Sequence, residues 1–259
     1  MFIDNRVGTA ALGCPAVLAM SNKVAIVAAM EREVASLIRG WKVREIEHDG
    51  RRYRLFESVG AGIGDAVLIC GGIGAEAARR AAEAVIHEIQ PSRVLSVGYA
   101  GALDEILKVG EVFVPRLLVN AADGARTETG SSEGILVSYS AVANSDQKKR
   151  LAKAYQATAV DMEAAAVAQA AQAHGIEFGA LKAISDAADF AMPAMERFVA
   201  GDGTFRAARF GLHVAMRPWL WGRTITLARN SAKASRALCA AIEEYLSRET
   251  AAAKCMDFV

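Results

Sequence analysis

Between Ala159 and Asp189 two apolar runs flank an alanine-rich stretch, and this unit constrains how the rest of the chain can fold. Ala159-Val160-Asp161 reads as a strand end. It passes through Met162-Glu163 into a helix made mostly of alanine, the strongest helix former. His174-Gly175 marks a turn, and Phe178 to Ile184 is apolar enough for a buried strand. A strand–helix–strand crossover of this length predicts two parallel strands. Ligands of open α/β sheets gather at strand carboxyl ends. Glu163 and Asp186 both fall at such ends, so one cleft with a carboxylate on each side is expected.

The flanking sequence repeats the strand–helix alternation. Val24 to Ala29 reads as a buried strand, and Glu31 to Arg39 has helical spacing, with Val34, Leu37 and Ile38 on one face. Trp41 to Glu47 and Arg51 to Val59 alternate apolar and polar residues around His48-Asp49-Gly50, a hairpin signal. Gly60 to Gly64 reads as a glycine turn, because a dinucleotide loop would need glycine where Asp65 stands. Ala66 to Cys70 is a further strand. It enters Gly71-Gly72-Ile73-Gly74 and then a helix from Ala75 to Ile89, a geometry that can offer backbone N–H groups to an anion or a ribose oxygen. Val94 to Val97 is another buried strand and delivers Gly98-Tyr99-Ala100-Gly101-Ala102-Leu103. Short β-like pieces lie between Leu117 and Val142, with Thr127 to Gly134 read as a loop, and Asn144 to Tyr155 reads as a helix.

Several function classes drop out. The 259 residues are 53% hydrophobic, enough for one large α/β domain with its own core. A net charge of +1 gives no case for nucleic acid. Cys14, Cys70, Cys239 and Cys255 lack metal-site spacing and read as reduced thiols, which suits a cytoplasmic location. No apolar run is long enough for a membrane span. Residues 1–19 hold an apolar run interrupted by glycine and proline. They are expected to lie outside the fold, which then occupies residues 20–259 as a single domain.

Val160-Asp161-Met162-Glu163-Ala164-Ala165-Ala166, followed by Lys182-Ala183-Ile184-Ser185-Asp186, resembles the paired motifs of the nucleoside phosphorylase and methylthioadenosine nucleosidase superfamily. The resemblance extends to Ala29-Met30-Glu31-Arg32-Glu33, to the glycine turn at Gly74, and to Gly98–Leu103. Lys182 stands where the family more often has arginine, Asp161 where it often has glutamate, and Tyr99 where it usually has serine. The resemblance implies a three-layer α/β/α fold with a central mixed sheet, partly barrel-like, flanked by helices. It implies a homo-oligomer, a dimer by default, and a small-molecule nucleoside as partner. No metal or organic cofactor is implied; inorganic phosphate would be a co-substrate only in a phosphorylase.

Breaking a nucleoside C–N bond builds positive charge on the sugar and negative charge on the departing base. An acid must assist the base, and hydrogen bonds must hold the sugar. By resemblance Asp186 assists the base, oriented by Ser185, and Glu163 grips the ribose with Met162 packed beneath it. Glu33 activates water. Gly74, Tyr99, Ala100 and Gly101 line the ribose and nucleophile side. For Asp186 to donate a proton, a partly apolar surround that raises its pKa is expected. The Gly-Asp-Pro plus Arg phosphate signature of the phosphorylase branch is absent, which favours water as nucleophile. Two alternatives stand: phosphorolysis, using Gly71–Gly74 and Gly98–Gly101 for phosphate, and a nucleoside-binding module without turnover. Dependence on added phosphate separates the first, and binding without base release separates the second.

A helical extension starts near residue 190. Thr224 to Ser247 reads as a long helix with Leu227, Ser231, Ala234, Leu238, Ile242 and Leu246 on one face. Phe205, Phe210, Met216, Trp219, Leu220 and Trp221 add apolar area among basic residues, a composition suited to membrane contact. The Ser185-Asp186-Ala187-Ala188 sequence, Arg217-Pro218-Trp219-Leu220 and Leu227-Ala228-Arg229-Asn230-Ser231 resemble a hopanoid-associated phosphorylase subgroup linked to removing adenine from adenosylhopane.

Overall fold

A computed structural model describes residues 21–59, 65–131, 133–190 and 196–256. The expectations placed on residues 1–19 and on Gly60–Gly64 lie outside the described residues. The strands are β1 (Ser21–Ala28), β2 (Lys42–His48), β3 (Arg51–Glu57), β4 (Ala66–Cys70), β5 (Pro91–Ala102), β6 (Val112–Phe113), β7 (Pro115–Asn120), β8 (Arg126–Glu128), β9 (Glu133–Ser138), β10 (Ala159–Asp161) and β11 (Glu177–Asp186). The helices are α1 (Ala75–Ile89), α2 (Ser145–Tyr155), α3 (Ala164–Ala173), α4 (Ala207–Ala215) and α5 (Trp221–Met256).

The strands form one mixed sheet in the order β2-β3-β4-β1-β5-β10-β9-β7-β8, with β11 on β5 and β6 beside β11. Helices cover both faces, giving the three-layer α/β/α architecture. On one side Ala234, Leu238, Ile242 and Leu246 of α5 pack on Ile26, Leu68, Leu95, Val97 and Leu181. On the other, alanines of α1 and α3 lie against Val27, Ile69 and Val94. Small alanine side chains let these two helices approach the sheet and each other closely. Strand β5 is central: twelve residues long, it pairs in parallel with β1 and β11, and its last two residues pair antiparallel with β10.

That switch of partner corrects the crossover expectation. Because β10 is antiparallel to β5 and β11 is parallel to it, β10 and β11 do not run the same way. Three-residue β10 instead extends β9 in parallel, and α3 returns the chain to β11 on the other edge of β5. The end of β5 lies between them, so Asp161 and Asp186 still reach one end of the sheet. The strand read at Val94 to Val97 continues through Gly98–Ala102. Glu31 to Arg39 is not an α-helix: Glu31–Glu33 forms a single 3-10 turn followed by further turns. Val34 and Leu37 are nevertheless buried, as their spacing predicts, because α5 covers them. Thr127 to Gly134 also departs from expectation: β8 ends within it and β9 begins within it, each paired with β7.

Candidate active site

Two glycines of β5 make the site possible. A side chain at Gly98 would place its Cβ 3.0 Å from Glu33 Oε2, and one at Gly101 would come within 2.9 Å of Asp186 Oδ2. The Gly98-Tyr99-Ala100-Gly101 spacing thus leaves room for one carboxylate at each end. Both acids line a single cavity of about 700 Å³, together with Tyr99, Ala100, Met162, Glu163 and Ser185. Glu33, Glu163 and Asp186 are therefore brought together, as the sequence reading requires. Gly74 does not line the cavity; its N–H donates to Glu163 Oε1 at 2.9 Å.

Glu33 sits in the 3-10 turn after β1, only 2% exposed, and its Oε2 has no hydrogen-bond partner among the described residues. Burial, reinforced by the charge of Glu163, pushes its carboxyl up to about 8. Its backbone is fixed by α5, because Ser235 Oγ donates to the Glu33 carbonyl at 2.9 Å. Glu163 stands at the start of α3 and also accepts from the Met162 N–H at 3.2 Å. Burial and then the Asp161 charge raise its pKa.

Lys182 and Asp161, the two departures from the family pattern, meet each other. Lys182 Nζ lies 2.9 Å from Asp161 Oδ2, with both side chains at most 1% exposed. Asp161 also accepts from Ser138 Oγ at 2.5 Å and from the Ala164 N–H at 2.9 Å, and Lys182 donates to Ser96 Oγ at 3.1 Å. This network braces the corner that carries Met162 and Glu163.

Asp186 is not in the apolar surround that the sequence reading asks for. Its Oδ1 accepts from Ser185 Oγ at 2.7 Å, and its Oδ2 accepts from Lys148 Nζ. Lys148 is 2% exposed and also donates to the Ala187 carbonyl at 2.7 Å. The Asp186 carboxyl group is thus acceptor to two donors. Sequence reasoning missed Lys148; the available signal was a lysine three residues before Leu151 on the buried side of α2.

Tyr99 turns its hydroxyl away from a ligand role: it donates to the Ser231 carbonyl at 3.1 Å, tying β5 to α5, and burial pushes the phenol up to about 12. The glycine turn before α1 is likewise occupied. Gly71, Gly72, Ile73 and Gly74 donate to the Ala28, Ala29 and Gly203 carbonyls and to Glu163 respectively. With those four N–H groups engaged, this turn offers no backbone cradle for a phosphate. Val142 lines the cavity beside Ala141 and Ala143.

The profile of the phosphorylase superfamily matches residues 23–143 and 131–209, most of the chain and all of the acids above. The chain belongs to the phosphorylase superfamily. Among curated relatives, the 5'-methylthioadenosine/S-adenosylhomocysteine nucleosidase of Actinobacillus succinogenes is 29% identical over 202 residues, 64% of this chain and 86% of that one. The nucleosidase of the same name from Lysinibacillus sphaericus is 27% identical with the same coverage. Among solved structures, the Neisseria meningitidis 5'-methylthioadenosine/S-adenosylhomocysteine nucleosidase in complex with methylthio-immucillin-A has a TM-score of 0.65. It is 22% identical, covering 89% of this chain and all of that one. Helicobacter pylori futalosine hydrolase gives a TM-score of 0.62 at 21% identity, over 86% of this chain and 98% of its own. These structures share the mixed sheet flanked by helices. Among the described residues no helix is long and apolar enough to cross a membrane.

Proposed function

We propose that this protein is a purine nucleosidase that hydrolyses the N-glycosidic bond of an adenosine-type nucleoside carrying a 5′ substituent. The observation that carries the reading is the convergence of Glu33, Glu163 and Asp186 on one cavity. The nucleosidase relatives support the substrate class.

The roles follow from charge. Asp161 and Asp186 each face an ammonium, Lys182 and Lys148, while Arg32, Arg39 and Arg236 also line the cavity. Once ionised, Glu33 and Glu163 favour the positive charge that develops on the ribose as the C1′–N bond breaks. Glu163, anchored by two backbone N–H groups, accepts from the ribose hydroxyls. The bonding pair leaves with the purine, and a ring nitrogen takes the proton held between Lys148 and Asp186. Water attacks C1′ and gives its proton to Glu33 in the ionised form. Ser185 keeps Asp186 in place. The engaged backbone donors of Gly71–Gly74 favour water over phosphate.

Beyond the acids the cavity continues between the Glu33 turn and α5, past Phe205, Phe210, Leu227 and Ala228. This apolar arm suits a large apolar 5′ group, and adenosylhopane is the candidate implied by the resemblance of the C-terminal third. The test is a chromatographic screen of 5′-substituted adenosines for free adenine, with and without phosphate. Phosphate-independent release is expected, and Asp186→Asn should slow it by at least about 100-fold. Strict dependence on phosphate would replace hydrolysis by phosphorolysis. Adenosine binding with no release by any substrate would make the chain a binding module.

A further inference from the structure

Five of the eight large apolar side chains that are exposed among the described residues cluster between Leu212 and Ile225. Leu212 and Met216 are one turn apart at the end of α4, Trp219 lies in the 3-10 turn that follows, and Trp221 and Ile225 are one turn apart at the start of α5. Their exposures run from 50% for Trp221 to 73% for Trp219. The patch is not a loose tail: the Trp221 indole N–H donates to the Val214 carbonyl at 3.0 Å, and the Phe198 and Phe210 rings meet edge to face at 5.3 Å. An apolar area of this kind on an otherwise polar surface marks a contact site.

The charge around it selects the partner. From Gly203 to Ile242 the sequence holds seven Lys and Arg residues and no Asp or Glu. Arg209 precedes Leu212 by three residues on α4, and Arg229 follows Ile225 by four on α5, so helical spacing places both guanidiniums beside the patch. A second copy docking through the same face would bring cation against cation, since a two-fold contact pairs a surface with itself. Exposed tryptophans rimmed by arginines suit the headgroup zone of an anionic lipid leaflet, where indoles settle at the interface and cations meet acidic lipid.

We propose that α4, the Trp219 turn and the start of α5 form a docking surface for an anionic lipid bilayer. Phe210, Thr224 and Leu227 of the same elements, with Phe205 just before α4, line the cavity, so docking sets its apolar arm next to the acyl region. The surface stands independently of the nucleosidase reading.

The experiment is co-sedimentation of the full chain with vesicles of phosphatidylcholine alone or with about a third phosphatidylserine. Binding to the anionic vesicles, none to the neutral ones, and release at high salt are expected. Arg209→Glu with Arg229→Glu should lower the partition coefficient by at least about tenfold. Trp219→Ala with Trp221→Ala should also weaken binding, and in a Trp41→Phe background the two remaining indoles should shift to the blue on docking. Both double variants should keep wild-type turnover of a water-soluble nucleoside, which separates this result from failure of the catalytic reading. No binding to either vesicle, or equal binding to both that charge reversal leaves unchanged, would overturn the proposal. So would dissociation of a solution oligomer by Trp219→Ala with Trp221→Ala without any vesicle binding, which would assign the face to a second copy.

Discussion

Replacing Glu33 with glutamine should stabilise the protein while removing its activity, and the size of the first effect should depend on pH. In the folded chain the Glu33 carboxyl holds its proton up to about 8; exposed in the unfolded chain, it releases it near 4.5. Unfolding between these values therefore releases a proton, so the Glu33 contribution to stability is greatest below 4.5 and falls as pH rises towards 8. The full slope is about 1.4 kcal/mol per pH unit, so between pH 5 and pH 8 the loss is on the order of 4 kcal/mol. Glutamine has nearly the same shape and cannot ionise, so this loss disappears. Urea unfolding of both proteins at pH 5, 6, 7 and 8 should give curves that diverge with rising pH, Glu33→Gln being the more stable. Parallel curves, or a variant less stable at pH 8, would refute the assignment of a buried, repelled carboxyl. The same ionisation governs catalysis with the opposite sign: kcat/KM of the wild type should climb as pH approaches 8, because only the carboxylate can accept the water proton.

Lys148→Met removes the ammonium beside Asp186; base release should fall by about 100-fold or more, measured as free adenine, with KM changing less than kcat. Gly101→Ala forces Cβ against Asp186 Oδ2 and should cost about 1–3 kcal/mol of stability as well as at least a tenfold loss of activity, read by thermal unfolding and adenine release. Lys182→Met leaves Asp161 buried without its partner and should destabilise by about 3–5 kcal/mol in urea unfolding, whereas a joint change of Lys182→Met with Asp161→Leu should recover part of that loss.

Local signals in the sequence locate most of the helices. The α1 boundaries follow from the glycine turn and the proline after it, and α2 begins where Asn144 and Gln147 form a capping box. The α5 face was readable because Leu238, Ile242 and Leu246 recur at helical spacing. Readings that needed tertiary information failed. Nothing in Ala159–Asp161 says that β10 will take β9 as its parallel partner and meet β5 head to tail. The turn after β1 looks helical because Val34 and Leu37 face α5, yet its hydrogen bonds close one 3-10 turn and then isolated turns, not a continuous helix. At the site the acids were legible because motif spacing marks them, and the glycines because bulk there would strike those acids. Lys148 was not: its partner is 38 residues away, joined to it only when α2 packs beside the end of β11.

The most direct measurement is adenine release from a 5′-substituted adenosine in isotopically labelled water without phosphate. The account predicts one labelled oxygen on C1 of the freed ribose, with none formed by Glu33→Gln. Unlabelled sugar phosphate appearing only when phosphate is added, or full label incorporation by Glu33→Gln, would contradict it.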